Sequence, residues 1–201
     1  MSERNERIRW QLGSGLLRLL HLNGLRKRVS PRLALAAASL INATFSASLL
    51  AMLAFVTQEV FIFPSLGATA FLLFYLPLAE ASSPRNVLSA HTIGASLGFA
   101  SLLLFGLGDA GSALIDGVTL PRVAAISFAL GLTCFLMVLL RVAHPPAAAT
   151  ALMVALGSVS QWHQIQTLLL GILLLLTQAF ILNRLIGIPY PLWARRETDT
   201  A

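Results

Sequence analysis

Charge is what this sequence has least of. Of 201 residues, 11% are Asp, Glu, Lys or Arg, while 57% are hydrophobic. A water-facing domain carries about 25% charged residues, so an ordinary soluble enzyme is excluded. The length would suit one or two soluble domains, but the apolar excess calls for lipid as solvent. Cysteine is nearly absent as well. Cys134 stands alone in an apolar run, so no intramolecular disulfide can form and a small buried side chain is expected there. The first 32 residues lack an apolar core followed by a small-residue cleavage site, and no secretory signal is read in them. No HExxH occurs, no two histidines stand at helical ligand spacing, and no carboxylates pair within a span. A metal site is therefore not expected, and a membrane enzyme using His144 as base is the weakest of the functional readings.

The few charges are segregated. Eight of the 14 Lys and Arg residues lie at or before Arg32, and three more lie at or after Arg184. Between Leu33 and Asn183 the charged residues are Glu59, Glu80, Arg85, Asp109, Asp116, Arg122 and Arg141. The net charge of +6 flanks apolar spans and forms no basic face with interleaved aromatics, so nucleic acid is not the expected partner; the bilayer is.

Four runs, at 33–56, about 87–107, about 120–140 and 165–182, are long enough to cross a bilayer, which takes about 20 apolar residues. Two shorter stretches are led by proline: 60–78, interrupted by Pro64 and Gly67, and 144–157, opened by His144, Pro145 and Pro146. The segment 108–117 reads as a surface loop. Residues 5–29 read as a short amphipathic helix on an anionic membrane surface, with a plain solvated tail as the alternative. His21 belongs to that tail, and His163 to a wet loop.

Sliding the chain by 81 residues places Pro64, Ala68, Thr69 and Ala70 on Pro145, Ala149, Thr150 and Ala151. Each short segment has a long span on either side. If both short segments cross, the N-terminal tail, Arg85, Arg141 and the Arg184, Arg195 and Arg196 tail share one side. Glu59, Asp109 and Asp116 then share the other, with Arg122 alone as a base. Were the short segments to dip and return, Arg85 and Arg141 would move outside. The distribution of basic residues favours crossing. The expected fold is thus an all-α polytopic membrane protein of six segments, four long and two short. It comprises two three-segment repeats of inverted topology, about 32–107 and 113–188, each with a Pro-led broken helix. Residues 1–31 and 194–201 form basic and polar flanks, and both termini are expected on the cytoplasmic side.

Proline lacks an N–H and fixes φ, so it is tolerated in a first helical turn. Pro64, Pro145 and Pro146 accordingly read as helix starts, each led in by extended chain. A helix start presents unpaired N–H groups and about half a positive charge, which attracts anions. Ser65, Thr69 and Thr150 add hydroxyl donors beside Gly67, and the intramembrane histidines His91 and His144 are functional candidates by default. The same small residues also permit close helix packing, and packing elements alone are the competing reading. Ala90, Gly94 and Gly98 form a small-residue stripe suited to packing between repeats or protomers. Arg85, with Asn86 beside it, reads either as a topology anchor or as the cytoplasmic entrance.

The segment His144-Pro145-Pro146-Ala147-Ala148-Ala149-Thr150-Ala151-Leu152 resembles the signature of the HPP family of integral membrane proteins. Pro64 to Ala70, Ser83-Pro84-Arg85-Asn86-Val87 with His91, Asn183-Arg184, and Pro189-Tyr190-Pro191-Leu192-Trp193 are similar to further elements of that family, in its order, over about residues 30 to 193. The family usually has four predicted transmembrane helices and is assigned to transport; some plastid and cyanobacterial members are associated with nitrite. The resemblance implies a transporter of a small anion, nitrite first. A bacterial inner membrane is the expected location, and no cofactor is expected. The chain departs from the family pattern at Ala148, Ser89, Ala90 and Ser83, which bears on substrate more than on fold. A non-transporting membrane assembly, docked through the Ala90, Gly94 and Gly98 stripe, is the alternative from another class, and a homo-oligomer is compatible with either.

Overall fold

In the computed structural model, residues 30–194 are described. The basic N-terminal stretch with His21, and the polar tail after residue 194, lie outside them. The described residues form seven α-helices and one 3₁₀ turn: α1 Pro31–Thr57, α2 Pro64–Tyr75, the turn Glu80–Ser82, α3 Pro84–Leu104, α4 Ala113–Asp116, α5 Leu120–Leu139, α6 Pro146–Ala155 and α7 Trp162–Leu185.

Proline punctuates this order. It occupies the first turn of α1, α2, α3, α5 and α6, where the missing N–H would have been unpaired in any case. Ser30 and Ser83 complete two of these starts by accepting from the amides of Leu33 and Asn86. Helix α7 starts on a capping box instead, between Gln161 and Gln164. The expected loop 108–117 holds the four-residue helix α4.

Four helices are long and apolar enough to cross a membrane. At about 1.5 Å per residue, α2 and α6, with 12 and 10 residues, reach only about half of a 30 Å hydrocarbon layer. The order long, short, long occurs twice, as α1–α2–α3 and α5–α6–α7.

The two short helices run in opposite senses. Helix α2 begins beside the middle of α7, where Phe61 and Leu66 face Gly171. Its last turn reaches the end of the molecule where α3 starts and α7 stops: Ser82 donates to the Leu72 carbonyl and Asn183 to that of Leu73. Helix α6 starts beside the middle of α3, with Ala147 against Gly94. It ends where α3 stops and α5 begins: the Leu156 carbonyl accepts from the Ala113 amide, and that of Ala155 from Arg122.

The apolar core joins α2, α3 and α7, with Leu73, Val87, Leu102, Leu168 and Ile172 fully buried. Leu40, Phe45, Met52 and Phe55 on α1, and Phe135 and Val138 on α5, are exposed, as side chains facing lipid should be. Cys134 is exposed on α5 rather than buried. The outward face of a peripheral span is apolar too, so hydrophobic surroundings in sequence did not mean burial within the protein.

A buried four-residue cluster as candidate functional site

The first turns of α2 and α6 have no side-chain cap. Phe63, before Pro64, is extended as expected, at φ −123° and ψ 137°. The residue before Pro146 is not. Pro145 stands in the α region at φ −51° and ψ −36°. Its ring already fixes φ, and tight bonds from the Ala147 and Ala148 amides to the His144 and Pro145 carbonyls hold the turn.

Close approach of α3 and α6 sets the rest. A Cβ on Gly94 would stand 2.6 Å from the Ala147 carbonyl oxygen, and one on Gly98 would stand 2.6 Å from the Val154 Cβ. The stripe of Ala90, Gly94 and Gly98 is therefore covered by α6 of the same chain, with Ala90 packed near Ala147. That occupation removes the contact on which the membrane-assembly reading relied. The letters Gly94-Ala95-Ser96-Leu97-Gly98 also spell a GxSxG nucleophile pattern. They lie inside helix α3 with Ser96 exposed, not on the strand-to-helix elbow that this chemistry requires.

With the helices so close, four polar side chains from three elements meet: Thr69 of α2, His91 of α3, Thr150 of α6 and His144 just before α6. All four are fully buried. The Thr69 Oγ1 lies 3.0 Å from the Nε2 of His91 and 3.0 Å from the Nε2 of His144. The other nitrogen of His91 meets Thr150 Oγ1 at 2.8 Å. His144 donates from Nδ1 to the Ala81 carbonyl at 2.7 Å. The ring centroids are 5.0 Å apart. Ser65, one turn before Thr69 in α2, is fully buried and its hydroxyl has no partner.

The remaining candidates fall around this cluster. Pro146 is buried at the start of α6, whereas Pro64, Gly67 and Pro145 face outward, and a Cβ on Gly67 would meet nothing within 4 Å. Asn86 is buried and donates to the Ala143 carbonyl, holding the chain that leads into His144. Arg85 is half-buried; its side chain reaches the Leu140 carbonyl and its amide donates to Trp193. His163 is exposed near the start of α7.

The supports of this cluster lie outside the residues that the sequence singles out. Tyr190, fully buried, donates to the Ser82 carbonyl next to Ala81, so the C-terminal segment holds the turn that orients His144. Arg122 is buried and donates to the Ala155 and Gly111 carbonyls, closing the C-terminus of α6, where a cation is favoured. A second polar group sits between α1 and α7: Gln178 donates to Ser46, and Ser46 to the Asn42 carbonyl. Polar residues inside otherwise apolar spans were the available signal for Asn42, Ser46 and Gln178.

Apolar spans, proline-led half helices and a buried polar cluster between them define an α-helical integral membrane protein. The chain belongs to the HPP family: the family's transmembrane region matches residues 28–191. No curated protein and no solved structure matches the chain.

Proposed function

We propose that this protein transports a small inorganic anion, nitrite first, through a site near the bilayer midplane where the first turns of α2 and α6 approach each other. The observation that carries this reading is the buried cluster of Thr69, His91, His144 and Thr150, with the partnerless Ser65 hydroxyl beside it. Buried polar side chains in a span are expensive and mark pathways. Imidazole N–H and hydroxyl groups are donors, and the helix starts add positive potential. An anion suits both. In the arrangement described, the donors bond one another. A guest therefore takes them over one by one as Thr69, Thr150 and the rings turn towards it.

The wider architecture is part of the same proposal. The two long–short–long units read as inverted repeats giving six membrane segments, with the Arg85 and Arg141 end in the cytoplasm of a bacterial inner membrane. The opposite senses of α2 and α6 support this reading, because half helices pointing apart from a shared centre are what such repeats produce. Arg85 and Asn86 stand at the cytoplasmic mouth. We read the chain as a transporter and not as an enzyme.

Proteoliposomes containing the protein and an internal anion reporter are expected to take up nitrite faster than empty vesicles. Thr150→Val removes a hydroxyl donor to the guest and His144→Ala a ring of the cluster, and each should lower uptake about tenfold or more, the value of one hydrogen bond to a charged group. Uptake no faster than in empty vesicles would refute the proposal, and two variants transporting at the wild-type rate would refute the site.

A further inference from the structure

The hydrogen bonds of the cluster leave little freedom in where its protons sit. A backbone carbonyl only accepts, so the Nδ1 of His144 carries a hydrogen towards Ala81. If His144 is neutral, its Nε2 is then a lone pair and must accept from the Thr69 hydroxyl. Thr69, having spent its one hydrogen, accepts from the Nε2–H of His91. His91 in turn accepts at Nδ1 from the Thr150 hydroxyl. The neutral cluster is a one-way chain: Thr150 to His91 to Thr69 to His144 to Ala81.

One contact is left over. The Thr69 Oγ1 also lies 2.9 Å from the Ser65 carbonyl oxygen, which only accepts, and in the neutral chain no hydrogen remains for it. Adding a single proton resolves this. His144 takes it on Nε2 and donates to Thr69; His91 still donates to Thr69; the Thr69 hydrogen, released from His144, turns to the Ser65 carbonyl. The hydroxyl oxygen accepts twice and donates once, which is its full capacity. All the contacts around Thr69 are then hydrogen bonds. No bond to carbon changes, and the only species gained is one proton.

We infer that the His91–Thr69–His144 cluster is a one-proton switch that couples anion movement to proton movement, with Thr69 as the element that turns. This rests on the transport reading above. Two imidazolium rings at 5.0 Å repel, so the pair holds one added proton and not two.

Among the described residues, no charged side chain neutralises it. Around the pair, α2 contributes Thr69 and Ser65, and the 3₁₀ turn contributes the Ala81 carbonyl with Glu80 exposed beside it. From α3 comes Arg85, engaged by the Leu140 carbonyl, and from the C-terminal segment Tyr190, engaged by Ser82. On α5, Arg122 is bonded at the far end of α6 and Cys134 is exposed; on α7, Arg184 is exposed and donates to the Tyr190 carbonyl. Among the described residues, no three His, Cys, Asp and Glu side chains gather anywhere. The added charge also sits next to the start of α6, which is already positive. An anion in the site supplies the missing negative charge, so proton and anion favour each other's binding, reciprocally.

The test uses the wild-type protein in liposomes carrying a trapped pH dye, with potassium and valinomycin setting the voltage and nitrite as the probe. Passage of undissociated nitrous acid is subtracted using empty vesicles. One proton should enter with each nitrite, and the rate should be insensitive to voltage. The rate should also rise about tenfold for each unit the outside pH falls while the pair is mostly neutral. Thr69→Ser should keep this slope, and Thr69→Val should flatten it. Protein-mediated nitrite uptake without internal acidification, driven by voltage and indifferent to pH, would overturn the switch and leave the transport reading standing. No uptake above empty vesicles would overturn the transport reading and the switch with it. Should Thr69→Val fail to fold, the wild-type proton count and voltage response decide alone.

Discussion

Tyr190 is a single side chain outside the long spans that bonds beside the buried cluster. Its hydroxyl donates to the Ser82 carbonyl, the neighbour of the Ala81 carbonyl that receives His144. Burial pushes the phenol above its ordinary value of 10.0. A raised folded-state value means that the neutral phenol contributes fully below the unfolded value. That contribution is lost as pH climbs through the folded one. Tyr190→Phe should therefore cost about 1 kcal/mol at neutral pH and lower the midpoint of thermal unfolding by about 2–4 °C. The variant's stability should also decline less than the wild type's as pH is raised past about 10. Tryptophan fluorescence during heating in detergent at several pH values measures both effects, and identical curves for the two proteins would contradict the assignment. The four cluster residues were legible in sequence because polar groups in apolar spans must find partners. Ala81 and Ser82 were not, since a backbone carbonyl carries no residue-type signal. Nor was the idle outward face of Gly67, which shares its segment with buried Thr69.

At the scale of elements, the contact of α3 with α6 matters most, because it sets how near His144 comes to His91. Gly94 stands against a backbone oxygen and Gly98 against a branched side chain; neither neighbour can yield without moving its helix. Gly94→Ala should cost about 1–3 kcal/mol by overpacking. Gly67→Ala, with open space around it, should gain up to about 1 kcal/mol from helix propensity. Unfolding midpoints of the two variants should move in opposite directions; a harmless Gly94→Ala would mean that α6 does not approach so closely. The helices themselves could be read from proline and apolar length, and their bounds differ from the expected ones by a turn at most at each end, save the start of α2. There the apolar run from residue 60 hides a non-helical lead-in that ends on the extended Phe63, since hydrophobicity alone cannot separate such a lead-in from a helix. The partner of the small-residue stripe was also open in sequence, because small residues favour any close neighbour.

For the whole molecule, the two ends differ in charge, and the proposed orientation rests on that difference. Arg85 and Arg141 lie at the end where α3 starts and α5 stops, tied by the bond from Arg85 to the Leu140 carbonyl. Asp109 and Asp116 are exposed at the opposite end, between α3 and α5, and Arg122 there is buried and bonded to carbonyls instead of facing water. Basic residues in short loops stay in the cytoplasm, whereas acidic ones have little influence. The retention signal is therefore concentrated at the Arg85 end and nearly absent from the other. With Cys134 first replaced by Ser, single cysteines at positions 109, 116 and 141 report this directly. A membrane-impermeant maleimide added to intact cells should label Asp109→Cys and Asp116→Cys, and should reach Arg141→Cys only after the membrane is opened. The reverse pattern would invert the molecule. Labelling of positions 109 and 141 from the same side would mean that α5 does not cross, and the opposed half helices would then have no two compartments to connect.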